Sequence, residues 1–228
     1  MGAWAEFVAV LGVFFLSHAL PVRPAIKGPI VARLGARGFT MGYSLLSLAV
    51  LIWLIAAAGR APFVPLWPYA PWQAWLALIA MAPACVLVAV ALVSVNPFSF
   101  GGRAGPFDPD APGIAGVSRH PLLLAIFLWA GTHFLANGTL AHGVLFGLFA
   151  AFALAGMAML DHRHRRSMGD RNWHEATRAT SLVPFSALFS GRWRPGMALP
   201  WGAVVAGLVV YAALIILHPL VIGPSPLP

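Results

Sequence analysis

The sequence predicts an all-α fold, a polytopic membrane helix bundle with about six transmembrane helices. Hydrophobic residues make up 60% of the 228 residues and charged residues only 9%, a composition that is typical of integral membrane proteins. The apolar residues also lie in long runs, and a helix needs about 20 of them to cross a bilayer. We therefore expect one integral membrane domain over residues 1–228, with membrane lipid as its surroundings.

Six apolar segments account for the expected helices. In chain order they cover residues 3–20, 39–58, 75–95, 121–136, 140–160 and 199–217. The first is expected to remain as a helix and not to be cleaved as a signal, because its basic residues follow it instead of preceding it. Asn137-Gly138 separates the fourth and fifth segments, and this pair predicts a tight turn that joins two antiparallel helices.

The basic residues predict how the chain is oriented. Thirteen of the fourteen Lys and Arg residues fall in the loops that follow the first, third and fifth segments, and only Arg60 lies on the other side. The positive-inside rule places these three loops in the cytoplasm and both termini in the periplasm. Because the net charge of +8 is distributed over loops between spans, we expect no nucleic-acid partner.

The longest of these basic loops, residues 161–198, also contains large aromatic side chains. Trp173, Phe185 and Trp193 lie among its charged residues. Aromatic and basic residues together are typical of segments that lie in the membrane interface. We expect part of this loop to be an interfacial helix.

Histidines are the main functional candidates, because a neutral imidazole in hydrocarbon is costly unless something binds it. Those in or beside apolar segments form an inner group at the cytoplasmic side and an outer group near the periplasmic side. The inner group is His18 and His120, and the outer group is His133, His142 and His218. Simpler roles compete: helix capping for His120, interfacial anchoring for His142 and His218, and a solvated basic run around His162 and His164.

Other classes of function find little support. Nucleotide-binding and hydrolase motifs are absent from the sequence. Only six carboxylates occur, and Glu6 alone lies within an expected span, which disfavours a carboxylate-lined transport pathway. Cys85 has no partner for a disulfide, and it is interpreted as a packing residue.

An ordered set of motifs over nearly the whole chain carries a family resemblance. The set is Phe15-Leu16-Ser17-His18, Ser118-Arg119-His120-Pro121, Trp129 with His133, Asn137-Gly138, Met159-Leu160-Asp161, Thr180-Ser181, Pro184-Phe185 and His218-Pro219. The chain resembles the NnrU family of bacterial membrane proteins and the related plant 15-cis-zeta-carotene isomerases. The resemblance implies the bacterial inner membrane, a link to nitric oxide and denitrification metabolism, and bound haem b.

The isomerase resemblance implies His18 and His133 as the two ligands of the haem iron, and a redox-dependent cis-trans isomerisation of a lipophilic polyene as the reaction. Isomerases of that family have a cysteine three residues before the second ligand, and it is implicated in a redox-linked change of ligand. This chain has Ala130 at that position, so that change cannot operate here. Whether the chain is an enzyme is left open by the sequence.

Helix rise raises an objection to this ligand pair. Thirteen residues separate His133 from the inner level of His120, or about 20 Å along a straight helix, and His18 is expected at the inner level. Two other pairings therefore stay open, His18 with His120 and His133 with His218. Arg119, beside His120, is a further cofactor-binding candidate.

Two alternative functions remain. A wider resemblance to membrane isoprenylcysteine methyltransferases implies an S-adenosylmethionine site at the cytoplasmic face, formed by Arg119, His120, Asp161 and Arg165. The paired glutamates of those enzymes are not evident here. The second alternative is a non-catalytic haem sensor or assembly subunit. Neither the substrate nor the oligomeric state follows from the sequence.

Overall fold

The computed structural model describes residues 2–196 and 200–228 and contains two compact units. The first unit comprises residues up to 68 and residues 138–145, and the second comprises residues 69–137 and 146–228. The helices are α1 (Ala3–Ala19), α2 (Pro24–Arg60), α3 (Pro71–Val93), α4 (Ile114–Val117), α5 (Pro121–Asn137), α6 (Leu140–Met168), α7 (Asp170–Thr177), α8 (Ser186–Phe189) and α9 (Trp201–Val221). The all-α prediction is confirmed.

Four of these helices, α2, α3, α6 and α9, are long and apolar enough to cross a membrane. The apolar helices α1 and α5 are shorter, at 17 residues each. The polytopic membrane fold is thus confirmed, whereas the side on which the termini lie stays a prediction. The predicted start of the last span, residue 199, lies outside the described residues, as does the end of the basic loop at residue 198.

In the first unit, α1 packs along α2. Helix α2 begins at Pro24, well before the span predicted from residue 39, because the basic segment between them is also helical. Gly35 interrupts it with a φ of 73°, a left-handed conformation that glycine adopts without a steric penalty. Arg60, which is predicted to lie on the opposite side from the other basic residues, pairs with Glu6 at 2.5 Å.

The predicted turn at Asn137-Gly138 is confirmed. Gly138 has a φ of 39°, and a Cβ atom there would lie 2.4 Å from the carbonyl oxygen of Trp67. The Gly138 carbonyl accepts a hydrogen bond from the Leu66 amide at 2.8 Å. Only glycine fits this position, because both its backbone conformation and its close neighbour exclude a side chain.

In the second unit, α3 packs against both α5 and α9. The hydrophobic core joins α3, α5 and α6 through small and branched side chains: Ala84, Leu87, Leu123, Leu124, Ala125, Ala153 and Met157. Tyr211 of α9 donates a hydrogen bond to the Leu78 carbonyl of α3 at 2.9 Å. This polar contact adds to the apolar packing between the two helices.

Helix α9 approaches the backbone of α3 closely at Gly207. A Cβ atom there would lie 2.7 Å from the Cα atom of Val86, and backbone cannot move aside as a flexible side chain can. We predict that Gly207→Ala lowers the free energy of unfolding by about 1–3 kcal/mol, measured by thermal denaturation in detergent. Gly202→Ala in the same helix has nothing within 4 Å and serves as the control. Equal stability of the two variants would contradict this packing.

The basic loop after α6 differs from the prediction. Helix α6 continues past Leu160 to Met168, and α7 and α8 follow. Trp173 and Trp193 are only 6% and 9% exposed because they contact other parts of the same unit, whereas Phe185 is 44% exposed. The two tryptophans are core residues of this unit, and the loop does contain a helix, α7, whereas its position in the membrane interface stays a prediction.

Candidate functional site

Two side chains in the second unit, Arg119 and His120, form an ionic cluster with Asp161, which lies in α6. The Oδ1 atom of Asp161 lies 2.9 Å from Nε2 of His120, and its Oδ2 atom lies 2.9 Å from Nη2 of Arg119. His120 is fully buried, and the side chains of Arg119 and Asp161 are 12% and 15% exposed. We call Arg119, His120 and Asp161 the Asp161 cluster.

The segment before α5 is held in place by a second loop. Ser181 donates its amide hydrogen to the Ala115 carbonyl and its hydroxyl hydrogen to the Gly116 carbonyl, at 3.0 and 2.6 Å. Its own carbonyl accepts from the Arg119 amide at 2.7 Å. The Arg119 carbonyl in turn accepts from Asn96 Nδ2 at 2.9 Å. These bonds fix the backbone that carries Arg119 and His120.

The carboxylate indicates which nitrogen of the His120 ring carries a hydrogen. Because Asp161 can only accept, Nε2 carries the hydrogen of this bond. The other nitrogen, Nδ1, is buried and has no hydrogen-bond partner among the residues that the structure describes. His120 therefore presents an unused ring nitrogen in the protein interior.

Arg119 is stabilised by an aromatic ring as well as by the carboxylate. Its guanidinium carbon lies 5.3 Å from the centroid of the Trp173 ring, within the range of a cation–π contact. Burial lowers the pKa of Arg119, the Asp161 charge opposes this change, and the charge of Arg192 adds to it. The Arg119 charge is thus stabilised by the Asp161 carboxylate and opposed by the charge of Arg192.

A cavity of about 400 Å³ opens beside Arg119. Its lining is rich in arginine and hydroxyl side chains: Arg119, Trp173, His174, Thr177, Arg178, Thr180, Leu182, Val183, Ser186 and Arg192. None of the described lining residues is acidic. We call this space the arginine cavity.

His18 lies one residue before the end of α1 in the first unit. Its Nδ1 atom is 2.8 Å from the Phe14 carbonyl oxygen, and since a carbonyl only accepts, Nδ1 carries the hydrogen. The ring lies beside Phe14, with centroids 4.0 Å apart, and edge-on to Tyr43. Its Nε2 atom is left as an electron-pair donor.

His133 in α5 of the second unit repeats this local arrangement. Its Nδ1 atom is 2.8 Å from the Trp129 carbonyl oxygen four residues earlier. The ring lies between Trp129 and Phe146, with centroids 5.8 and 5.3 Å away. His133 therefore also presents Nε2 as an electron-pair donor within an aromatic environment.

The outer histidines have different local partners. Nδ1 of His142 is 2.9 Å from Thr139 Oγ1 in the first unit, and Nδ1 of His218 is 2.8 Å from the Pro224 carbonyl oxygen in the second. His218 lies within electrostatic range of His133. Among the described residues, no group of three or more His, Cys, Asp and Glu side chains converges on a metal position.

The structure brings together three of the four residues predicted for a methyltransferase site. Arg165 is the exception, because its Nε atom pairs with Asp170 at 2.6 Å instead. Neither Asn96 nor Ser181 was predicted as a site residue. Both are buried, at 5% and 0% exposure. Ser181 belongs to the Thr180-Ser181 motif of the family resemblance, whereas the signal for Asn96 was a polar residue beside an apolar run.

Comparison with known proteins identifies the family of this sequence. A family model described as "NnrU protein" matches residues 6–226, a range that contains the described site residues of both units. No curated protein and no solved structure matches the chain. Since the match covers nearly the whole sequence, the chain belongs to the NnrU family.

Proposed function

We propose that the protein is a haem b-binding membrane protein of the NnrU type, in which His18 and His133 would hold the haem iron. The observation that supports this proposal is the shared local geometry of the two rings. In each, Nδ1 donates to the carbonyl four residues earlier in the same helix, at 2.8 Å. This leaves Nε2 free to bind a metal ion.

A tethered Nδ1 atom is what a metal-ligating histidine needs. Ligating histidines nearly always donate their second ring hydrogen to a carbonyl, carboxylate or water, which fixes the tautomer and the ring orientation. Imidazole is also a common axial ligand of haem iron. The donor set of this chain therefore fits the group.

The surroundings of the two rings suit a large apolar cofactor. Phe14 and Tyr43 lie beside His18, and Trp129 and Phe146 lie beside His133. Sites for flat organic cofactors are lined mainly by aromatic and apolar side chains. Bound haem would supply a one-electron redox couple, and the two histidines would hold and orient it.

The first experiment is spectroscopic. Expression in haem-replete cells and purification in detergent should yield a protein with a Soret band and a low-spin spectrum, and about one haem per chain in a pyridine haemochrome assay, because two imidazoles saturate the iron. Purified protein without Soret absorbance would overturn the proposal.

Local contacts make one of the two other ligand pairings less favourable. His120 uses Nε2 to bind Asp161, so pairing it with His18 would require Nδ1 as the ligand. His218 also has its Nδ1 atom tied to a carbonyl, so His133 with His218 stays the alternative pairing. We propose His18 with His133 because the family resemblance implies that pair.

The family resemblance supports two finer proposals. One is a place in nitric oxide and denitrification metabolism, and the other is the redox-dependent isomerisation of a lipophilic polyene. If nitric oxide alters the haem spectrum and polyenes leave it unchanged, the result favours a sensor or assembly subunit. Turnover of a polyene would favour the isomerase.

The assembled Asp161 cluster supports the methyltransferase as a second candidate. A cation and an imidazole could bind the carboxylate and ribose of S-adenosylmethionine. Asp161, however, already binds both Arg119 and His120, and Arg165 binds Asp170. Calorimetry with S-adenosylmethionine tests this candidate, and absence of a binding signal would remove it.

A further inference from the structure

The arginine cavity has a charge arrangement that the proposed haem ligands do not use. Arg119, Arg178 and Arg192 all line it. Like charges repel at short range, so their convergence has an electrostatic cost unless an anion lies between them. The partners of each arginine show how much of this charge is already compensated.

Arg119 and Arg178 have carboxylate partners outside the cavity lining. Arg119 binds Asp161, which it shares with His120. Arg178 binds Asp110 at 2.6 Å and also Glu175. The side chains of Asp110 and Glu175 are 75% and 70% exposed, so water screens their effect on the cavity.

Arg192 has no carboxylate partner in the part of the chain that the structure describes. Its Nη1 atom donates to the carbonyls of Arg178 and Thr180, at 3.0 and 3.4 Å, and its Nε atom donates to Ser190 Oγ at 2.9 Å. These bonds position the guanidinium without neutralising it. Arg192 is itself exposed to solvent, and it contributes to the cavity wall a positive charge that no carboxylate pairs with in the described residues.

The rest of the lining suits a ligand that is anionic at one end and apolar at the other. Ser186 adds a hydroxyl group, while Leu182 and Val183 add apolar surface. Val183 is 67% exposed, and the nearby Phe189 is 83% exposed. Exposed apolar residues beside a cationic cavity favour a ligand that carries hydrocarbon next to its charge.

We propose that the arginine cavity binds a phosphate group, carried either by an anionic lipid or by a small soluble phosphate. Planar guanidinium groups match the geometry of phosphate oxygens and form charge-assisted hydrogen bonds with them. The cavity volume of about 400 Å³ accommodates a headgroup. This site is independent of the haem proposal, so haem-loaded and haem-free protein should bind alike.

The test measures binding to the full chain in dodecyl maltoside, with dioleoyl phosphatidic acid, dioleoyl phosphatidylcholine and inorganic pyrophosphate as separate probes. Phosphatidic acid should bind more tightly than phosphatidylcholine, and more weakly as salt increases. Arg192→Gln should weaken binding by about tenfold. Arg192→Lys, which keeps the charge but loses the fork of donors, should have an intermediate effect.

Arg194→Gln is the matched control, because Arg194 is exposed and does not line the cavity. If pyrophosphate displaces the lipid, a soluble phosphate is an equivalent ligand of the cavity. If the lipid binds and pyrophosphate does not displace it, the ligand is a lipid headgroup. Arg178→Gln provides a second cavity variant if Arg192→Gln does not fold. Equal binding by wild type and cavity variants, equal affinity for both lipids, or no binding of any probe would overturn the proposal.

Discussion

Asp161→Asn is expected to destabilise the protein strongly. An amide has one acceptor oxygen, whereas Asp161 accepts from both Arg119 and His120. In the variant one of these donors would face the hydrogens of the new NH2 group, and the Arg119 charge would lose its compensating anion. We expect the free energy of unfolding to fall by about 3 kcal/mol, the lower end of the range for breaking a buried ion pair, because the two side chains are slightly exposed.

The matched control is Asp110→Asn. Asp110 also pairs with an arginine, Arg178, but the Asp110 side chain is 75% exposed. Loss of this ion pair should therefore have no measurable effect on stability. Thermal denaturation in detergent compares the two variants with the wild type. If Asp161→Asn melts at the wild-type temperature, the Asp161 cluster does not stabilise the fold as its geometry indicates.

His18→Ala and His133→Ala are each expected to lose the low-spin haem spectrum. If the two imidazoles hold the iron, removing one of them would take away a metal–ligand bond. The Soret band should shift to a high-spin position or decrease as haem dissociates during purification. The measurement is the absorbance ratio of haem to protein, together with oxidised and reduced spectra.

His142→Ala is the control for these two variants, because Nδ1 of His142 lies beside Thr139 Oγ1 and not beside a carbonyl of its own helix. Its spectrum should match the wild type. His120→Ala and His218→Ala complete the set and test the two other pairings directly. Loss of haem in His120→Ala with His133→Ala unaffected, or in His218→Ala with His18→Ala unaffected, would exclude the proposed pair.

The membrane helices could be predicted from the sequence because their signal is local. Long apolar runs give α3, α6 and α9 nearly at their expected positions, and Asn137-Gly138 marks the turn because glycine tolerates a positive φ. The early start of α2 was missed because the charged residues before Phe39 indicated a loop. Arg, Ala and Leu nevertheless favour helices, and Gly35 separates this basic helical segment from the apolar one.

The candidate site could be predicted only in part. Arg119, His120 and Asp161 were proposed together from a family resemblance, and the structure confirms that they meet. Their support by Ser181 and Asn96 depends on hydrogen bonds between residues far apart in the sequence, for which hydrophobic periodicity carries no signal. The burial of Trp173 was missed for the same reason, because its partner Arg119 lies in a distant segment.

Imidazole rescue of His133→Ala tests the central claim most directly. If Nε2 of His133 binds the iron, removal of the side chain leaves a space that free imidazole can fill, and adding imidazole to the haem-bound variant should restore the low-spin spectrum of the wild type. The same addition should leave the spectrum of His142→Ala unchanged. A His133→Ala spectrum that is already identical to the wild type before imidazole is added would contradict haem ligation by His133.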